Sequence, residues 1–284
     1  MAMRVAPTAR QQRLGHELRR LREQAGLSAT EAGSLFGVGQ SRVSNIEIGR
    51  IGVSPERVRT FATNYGCSDA QLVDVLASMA DGGRARNWWE EYRDRLPGGL
   101  LDLAELEHHA SALRTAQTTH LPGLLQTVDY ARLIFRQSIP ELPPHEVEYR
   151  VSHRIKRQGV LYDGTPLPYR AVIHEAALRM QFGGPRVTRE QLRHIAESSE
   201  RDNVTVRVIP FDAGIFPGSG QTIVFAEGPV PQLDTVQLDA EHGFVLVHTD
   251  AALMKYRTVL DQMEAMSLTP TQSRDFITSI IASL

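Results

Sequence analysis

The stretch Leu27 to Arg50, LSATEAGSLFGVGQSRVSNIEIGR, constrains this chain most. Its residues fit two short helices joined by a tight turn. Ser28 and Glu31 stand at the spacing of a capping box, in which each side chain takes the other's orphaned backbone N–H. Gly37 stops that helix, since glycine adopts the left-handed conformation of a helix C-terminus at little cost. A third helix is predicted from about Gln40 to Ile48, with Gly49 as its stop. Two such helices cannot bury their apolar faces alone. Gln11 to Ala25 supplies a partner: Leu14, Leu18, Leu21 and Ala25 mark one helical face, and Gly26 ends it. Pro55 suits the first turn of a fourth helix with Val58, Phe61, Ala62 and Tyr65 inward. Ser68 or Asp69 can cap a fifth helix that reaches Met79.

The third helix keeps a polar face outward. Gln40, Ser41, Ser44 and Asn45 can each donate and accept, as base edges in a major groove require. Arg42 and Arg50 flank them and suit phosphates, which fix register and give salt-dependent affinity. The charge distribution agrees. Residues 1–60 hold ten arginines and five acidic residues, a net of +5, whereas the whole chain of 284 residues carries −2. A basic head on an acidic body points to an anionic partner at the N-terminus, and double-stranded DNA is the expected one.

Three strings here, LREQAGLS, Gly37 and SRVSNIEIGR, resemble the Xre family of repressor-type helix-turn-helix proteins. The resemblance implies that the third helix is a recognition helix, with Gln40, Ser41, Ser44 and Asn45 facing bases. It also implies a structural ion pair between Arg22 and Glu47, tying the first helix to the third. The sequence departs from the family at the second helix. Ala29 stands where a glutamine usually contacts a phosphate, and Ala32 and Gly33 are smaller than the usual residues.

Length suggests two domains, and 42% hydrophobic residues suffice for real cores. Asp81-Gly82-Gly83-Arg84 breaks the pattern, which places a boundary between residues 1–83 and 84–284. Trp88 to about Gln137 reads as helical, interrupted near Pro97 and Pro122, and His145 to Leu161 reads as a further helix. The period then shortens. Tyr169–His174, Thr205–Ile209, Thr222–Ala226, Thr235–Leu238 and Phe244–His248 read as strands. Helices are expected at Ala176–Phe182, Thr188–Ser199, Asp250–Met266 and Pro270–Leu284. The fold class is therefore α+β: an all-α five-helix head, then a larger mixed α/β domain with a helical first part.

That larger domain carries no recognisable reaction chemistry. Glu105, Glu107, His108, His109 and His120 invite a metal, but their spacing matches no ligand motif, and polar helix surface explains them better. No nucleophile elbow, phosphate loop or dinucleotide fingerprint occurs, so neither an enzyme nor a cofactor is expected. Trp88, Trp89 and Tyr92 suit either a partner or ligand contact or the core. One cysteine, no long apolar run and no apolar segment after the first arginines fit a cytoplasmic, nucleoid-associated protein without a membrane span.

The strings NWWEEYRDRLP, LEHHA, LPGLLQTVDYARLI, RIKRQGVL, EAALRMQFGG and QLRHIAESSERDNVTVRVIPF resemble the Xre-type regulators abundant in Streptomyces and other actinobacteria. Their C-terminal domain is called antitoxin-like. The resemblance implies a transcriptional regulator, often paired with a small companion protein. Two readings of this domain stay open: a receiver for a companion protein in a homodimeric regulator, and a one-component sensor with a small-molecule effector.

Overall fold

The structure, a computed structural model, describes residues 6–81, 87–240 and 243–284. It divides into two compact units, Met1–Glu91 with Gly98–Glu105, and Tyr92–Pro97 with Leu106–Leu284. The expected boundary at residues 81–84 falls mostly on 82–86, outside the described residues.

The first unit begins with five helices: α1 (Ala9–Gln24), α2 (Ala29–Leu35), α3 (Gln40–Glu47), α4 (Pro55–Asn64) and α5 (Ala70–Ala80). Each boundary has a local cause. Thr8 and Gln11 form a capping box on α1, and Ser28 and Glu31 form one on α2. Ser54 and Asp69 cap α4 and α5. The first four helices end on a glycine with positive φ, followed by a residue whose N–H returns to the last turn. Leu14, Leu18 and Leu21 of α1, Val43 and Ile46 of α3, and Val58 and Phe61 of α4 are all buried. Each such side chain contributes ~1.5–3 kcal/mol through burial. Phe36 packs on Phe61 at 4.3 Å between ring centroids and closes the cluster.

The second unit is a six-stranded mixed sheet with helices on both faces. Its strands are β1 (Ala112–Gln117), β2 (Tyr169–His174), β3 (Val204–Ile209), β4 (Ile223–Glu227), β5 (Thr235–Ala240) and β6 (Gly243–Val247). Their order is β3-β2-β1-β4-β5-β6, parallel from β3 to β1 and antiparallel from β1 to β6. The remaining helices are α6 (Gly98–His109), which contributes to both units, α7 (Val128–Arg136), α8 (Pro144–Arg157), α9 (Glu175–Arg179), α10 (Gly184–Ser198), α11 (Asp250–Met266) and α12 (Pro270–Ser283). Alternation along the strands feeds two cores. Leu113, Tyr169, Ala171, Ile173, Val204, Val206 and Val208 face Leu192, Ile195, Ile277 and Ile280 of α10 and α12. Ala116, Val172, Ile209, Phe225 and Val236 face Leu253, Leu260 and Met263 of α11.

One reading of the sequence needs correction. Trp88 to Gln137 is not a helical run: Trp88–Tyr92 and Gly123–Leu125 are short 3-10 turns, and Ala112–Gln117 is the central strand β1. Ala, Leu, Arg and Gln are helix formers, and only Thr115 of ALRTAQ is β-branched. Pairing with β2 on one side and β4 on the other overrides that preference.

Side-chain amides organise the segment that follows β1. Gln126 donates to Leu121 O at 2.7 Å, Gln158 donates to Gln126 O at 2.6 Å, and Gln191 donates to Leu125 O at 2.6 Å. Buried Arg157 grips buried Glu107 through two hydrogen bonds, so the Glu107 carboxylate is committed to a guanidinium.

Candidate nucleic-acid interface

Helices α2 and α3 are held at a fixed angle by the turn between them. Gly37 has φ +64°, and Val38 N–H donates to Gly33 O at 2.8 Å. Gly33 makes the turn tight: a Cβ there would stand 2.7 Å from Val38 O. Its small size, with that of buried Ala32, lets the chain fold back closely on α2.

Helix α1 fixes α3 from behind. Arg22 Nε and Nη2 donate to the two carboxylate oxygens of Glu47 at 2.6 and 2.9 Å, and both side chains are buried. Arg22 Nη1 also donates to Leu27 O at 2.6 Å, beside the cap of α2. The hydrogen bond to Glu47 holds the Arg22 guanidinium above its ordinary pKa, against the effect of burial. Burial, with Glu47 adding, pushes the Tyr65 phenol up to about 12. Gly15 lets the helices touch: a Cβ at this position would stand 2.4 Å from Glu47 O and 2.6 Å from Ile46 O.

With Val43 and Ile46 inward, α3 turns its other residues out. Gln40, Ser41 and Arg42 are exposed, and Ser44 and Asn45 are half-buried. Gln40 Nε2 donates to Ser44 Oγ at 2.9 Å, and Asn45 Nδ2 donates to Ser41 O at 2.7 Å. Each contact uses one amide N–H and orients the group. The other N–H and the amide oxygen stay available, which is the pair a bidentate contact with adenine needs. Ile48, 44% exposed and one turn beyond Ser44, is an exposed apolar side chain that the sequence did not single out.

Charge on this side comes from few groups. Arg13, Arg19, Arg20 and Arg22 pair with Glu17, Glu23 and Glu47. Arg42 and Arg50 are exposed and make no ion pair with described residues. They stand in the first turn and just past the end of α3. Ala29 offers no polar side chain at the start of α2.

The aromatic candidates lie elsewhere. Trp89 and Tyr92 are buried, and Trp88 is half-buried with its ring edge-on to Trp89 at 5.7 Å. Tyr92 OH shares a 2.8 Å hydrogen bond with Ser152, and its ring packs on His153. Among the described residues, no group of histidine, cysteine and carboxylate side chains is arranged to hold a metal, and no helix is long and apolar enough to cross a membrane.

Two family models match the chain. A helix-turn-helix domain matches residues 13–75, and a domain of unknown function (DUF5753) matches residues 100–279. No curated protein and no solved structure matches.

Proposed function

Because the chain belongs to the DUF5753 family and carries a helix-turn-helix domain at its N-terminus, we propose that it is a sequence-specific regulator of transcription that binds double-stranded DNA. One observation carries this reading: the polar face of α3, with its amides oriented and with Arg42 and Arg50 making no ion pair among the described residues, locked from behind by Arg22 and Glu47. In this reading Gln40, Ser41, Ser44 and Asn45 meet base edges in the major groove, and Ile48 suits a thymine methyl. Arg42 and Arg50 neutralise phosphates. The Xre-type role follows from the same face, with α2 contributing no phosphate contact through Ala29.

One recognition helix reads only a few base pairs, so a homodimer on a palindrome is the expected form. The second unit serves as the receiver of a signal, and a small companion protein is the first reading of that signal. A small-molecule effector is the second, favoured by a buried amide oxygen of Gln237 that has no hydrogen-bond partner. Neither role requires catalysis, and the chain acts as a binding protein rather than an enzyme. In vitro selection of duplexes bound by the full chain tests the reading. It should enrich a palindrome whose half-sites lie about one helical turn, 10–10.5 base pairs, apart. Failure to enrich any sequence over random DNA would overturn it.

A further inference from the structure

The two edges of the sheet are finished differently. The β3 edge is covered: Leu268 N–H donates to Val208 O, and Val208 N–H donates to Ser273 Oγ. Strand β6 is the other edge. On one side it pairs with β5 through five consecutive positions, from Val236 opposite Val247 to Ala240 opposite Gly243. Alternate residues of an antiparallel strand turn their N–H and C=O groups away from that partner. Among the described residues, nothing hydrogen-bonds to the outer side of β6.

The strand also lacks the usual protections. Exposed edges are blunted by charge, proline or a bulge. GFVLV has no charged residue and no proline, and its ladder runs without a bulge. Its side chains are apolar on both faces. Val245 and Val247 stand beside Leu238 and Val236, on the face that α11 covers. Phe244 and Leu246 stand beside Asp239 and Gln237, on the opposite face. Val245 is 45% exposed, with a cross-strand neighbour on one side only.

An open strand edge fixes the chemistry of what covers it: another extended strand, whose backbone continues the ladder. A strand apolar on both faces calls for a partner strand of the same kind, and β6 is itself such a strand. We propose that β6 pairs antiparallel with β6 of a second copy of this chain, about a two-fold axis at Val245, so that the two sheets run on into one. This names the interface of the homodimer proposed above and rests on that reading. Centring on Val245 brings all five residues into register, with Phe244 against the partner's Leu246 and Gly243 against the partner's Val247. No charge lies within the strand, so no like charges oppose self-pairing. The contact is isologous and supplies the two-fold symmetry that a palindrome requires. A five-residue strand pair is smaller than the standard interface of about 1,600 Å². The dimer should therefore form in the micromolar range.

Sedimentation velocity of the full chain from about 1 to 100 μM tests this, beside Val245→Lys and Val245→Glu. The parent should pass from monomer to dimer. Each variant alone places like charges side by side at the axis and should dimerise at least about tenfold more weakly. An equal mixture of the two should restore the dimer, because an ammonium then faces a carboxylate. A loss of fold would not give that rescue. Where a charge disturbs the fold, Val245→Cys with Cys67→Ser carries the test: a short bis-maleimide should join two such chains. Folded charge variants that dimerise like the parent, a folded mixture no better than either variant alone, or a cysteine variant that stays unlinked would overturn the pairing. A parent that still dimerises then keeps the homodimer reading, with its interface elsewhere. A parent that stays monomeric throughout the range overturns both.

Discussion

At the scale of single residues, the guanidinium of Arg22 ties α1 to the start of α2 through Leu27 and to the end of α3 through Glu47. Arg22→Ala leaves the Glu47 carboxylate buried without its partner, a loss of ~3–5 kcal/mol where burial is full. Urea unfolding with amide exchange read over residues 9–80 should show that loss, and an unchanged unit would refute the role. Gly15→Ala should cost ~1–3 kcal/mol in the same measurement, because backbone oxygens of α3 occupy the added methyl's place. His153 makes a different prediction. Burial first, then Arg157, Arg154 and Lys156, push its imidazole down from 6.5 to about 3. The unfolded chain therefore takes up this proton at higher pH than the folded one. The stability from neutral His153 is full above pH 6.5 and is lost as pH falls from 6.5 towards 3. That amounts to about 2 kcal/mol by pH 5, and His153→Gln should flatten the acid limb by that amount. Some of these residues were legible in the sequence and others were not. Ser28 and Glu31 advertise their roles through spacing. Gly15 sits in a helical pattern, where a glycine shows only as a cost in propensity, and its purpose appears once α3 lies against it.

At the scale of elements, helix ends were the most readable feature. Four of them rest on local chemistry, a glycine and its returning N–H, that needs no knowledge of the fold. The five β-branched runs likewise became five strands, because alternation in β2 through β5 reports two buried faces. Strand β1 was hidden because its six residues favour helix in isolation, and the partners that make it a strand lie about fifty residues or more away in sequence. The buried Gln237 oxygen without a hydrogen-bond partner was equally hidden, since a missing partner is a property of packing. The sheet's β3 edge shows what packing supplies. Leu268 N–H donates to Val208 O at 2.9 Å, and Val208 N–H donates to Ser273 Oγ at 3.0 Å, so the turn and start of α12 satisfy that edge. Ser273 is fully buried. Ser273→Ala should leave the Val208 N–H unpaired and cost ~1–3 kcal/mol, and exchange of that amide should accelerate at least in proportion. Unchanged exchange would mean that water replaces the hydroxyl.

At the scale of the whole molecule, the charge asymmetry of the sequence acquires a location. Ion pairs within α1 and between α1 and α3 engage Arg13, Arg19, Arg20 and Arg22 with Glu17, Glu23 and Glu47, and Arg42 and Arg50 remain beside α3. In the proposed role, α3 reads sequence while these arginines supply charge. That role is tested by measuring affinity of the full chain for selected and random duplexes across a salt series, beside Asn45→Ala, Gln40→Ala and Arg50→Ala. Asn45→Ala and Gln40→Ala should each lose ~1–3 kcal/mol on the selected duplex and little on random DNA, and relax one base pair per half-site. Arg50→Ala should weaken both duplexes alike and flatten the salt slope by about one unit. Equal losses on both duplexes for Asn45→Ala and Gln40→Ala would contradict the account, reducing α3 to a phosphate clamp.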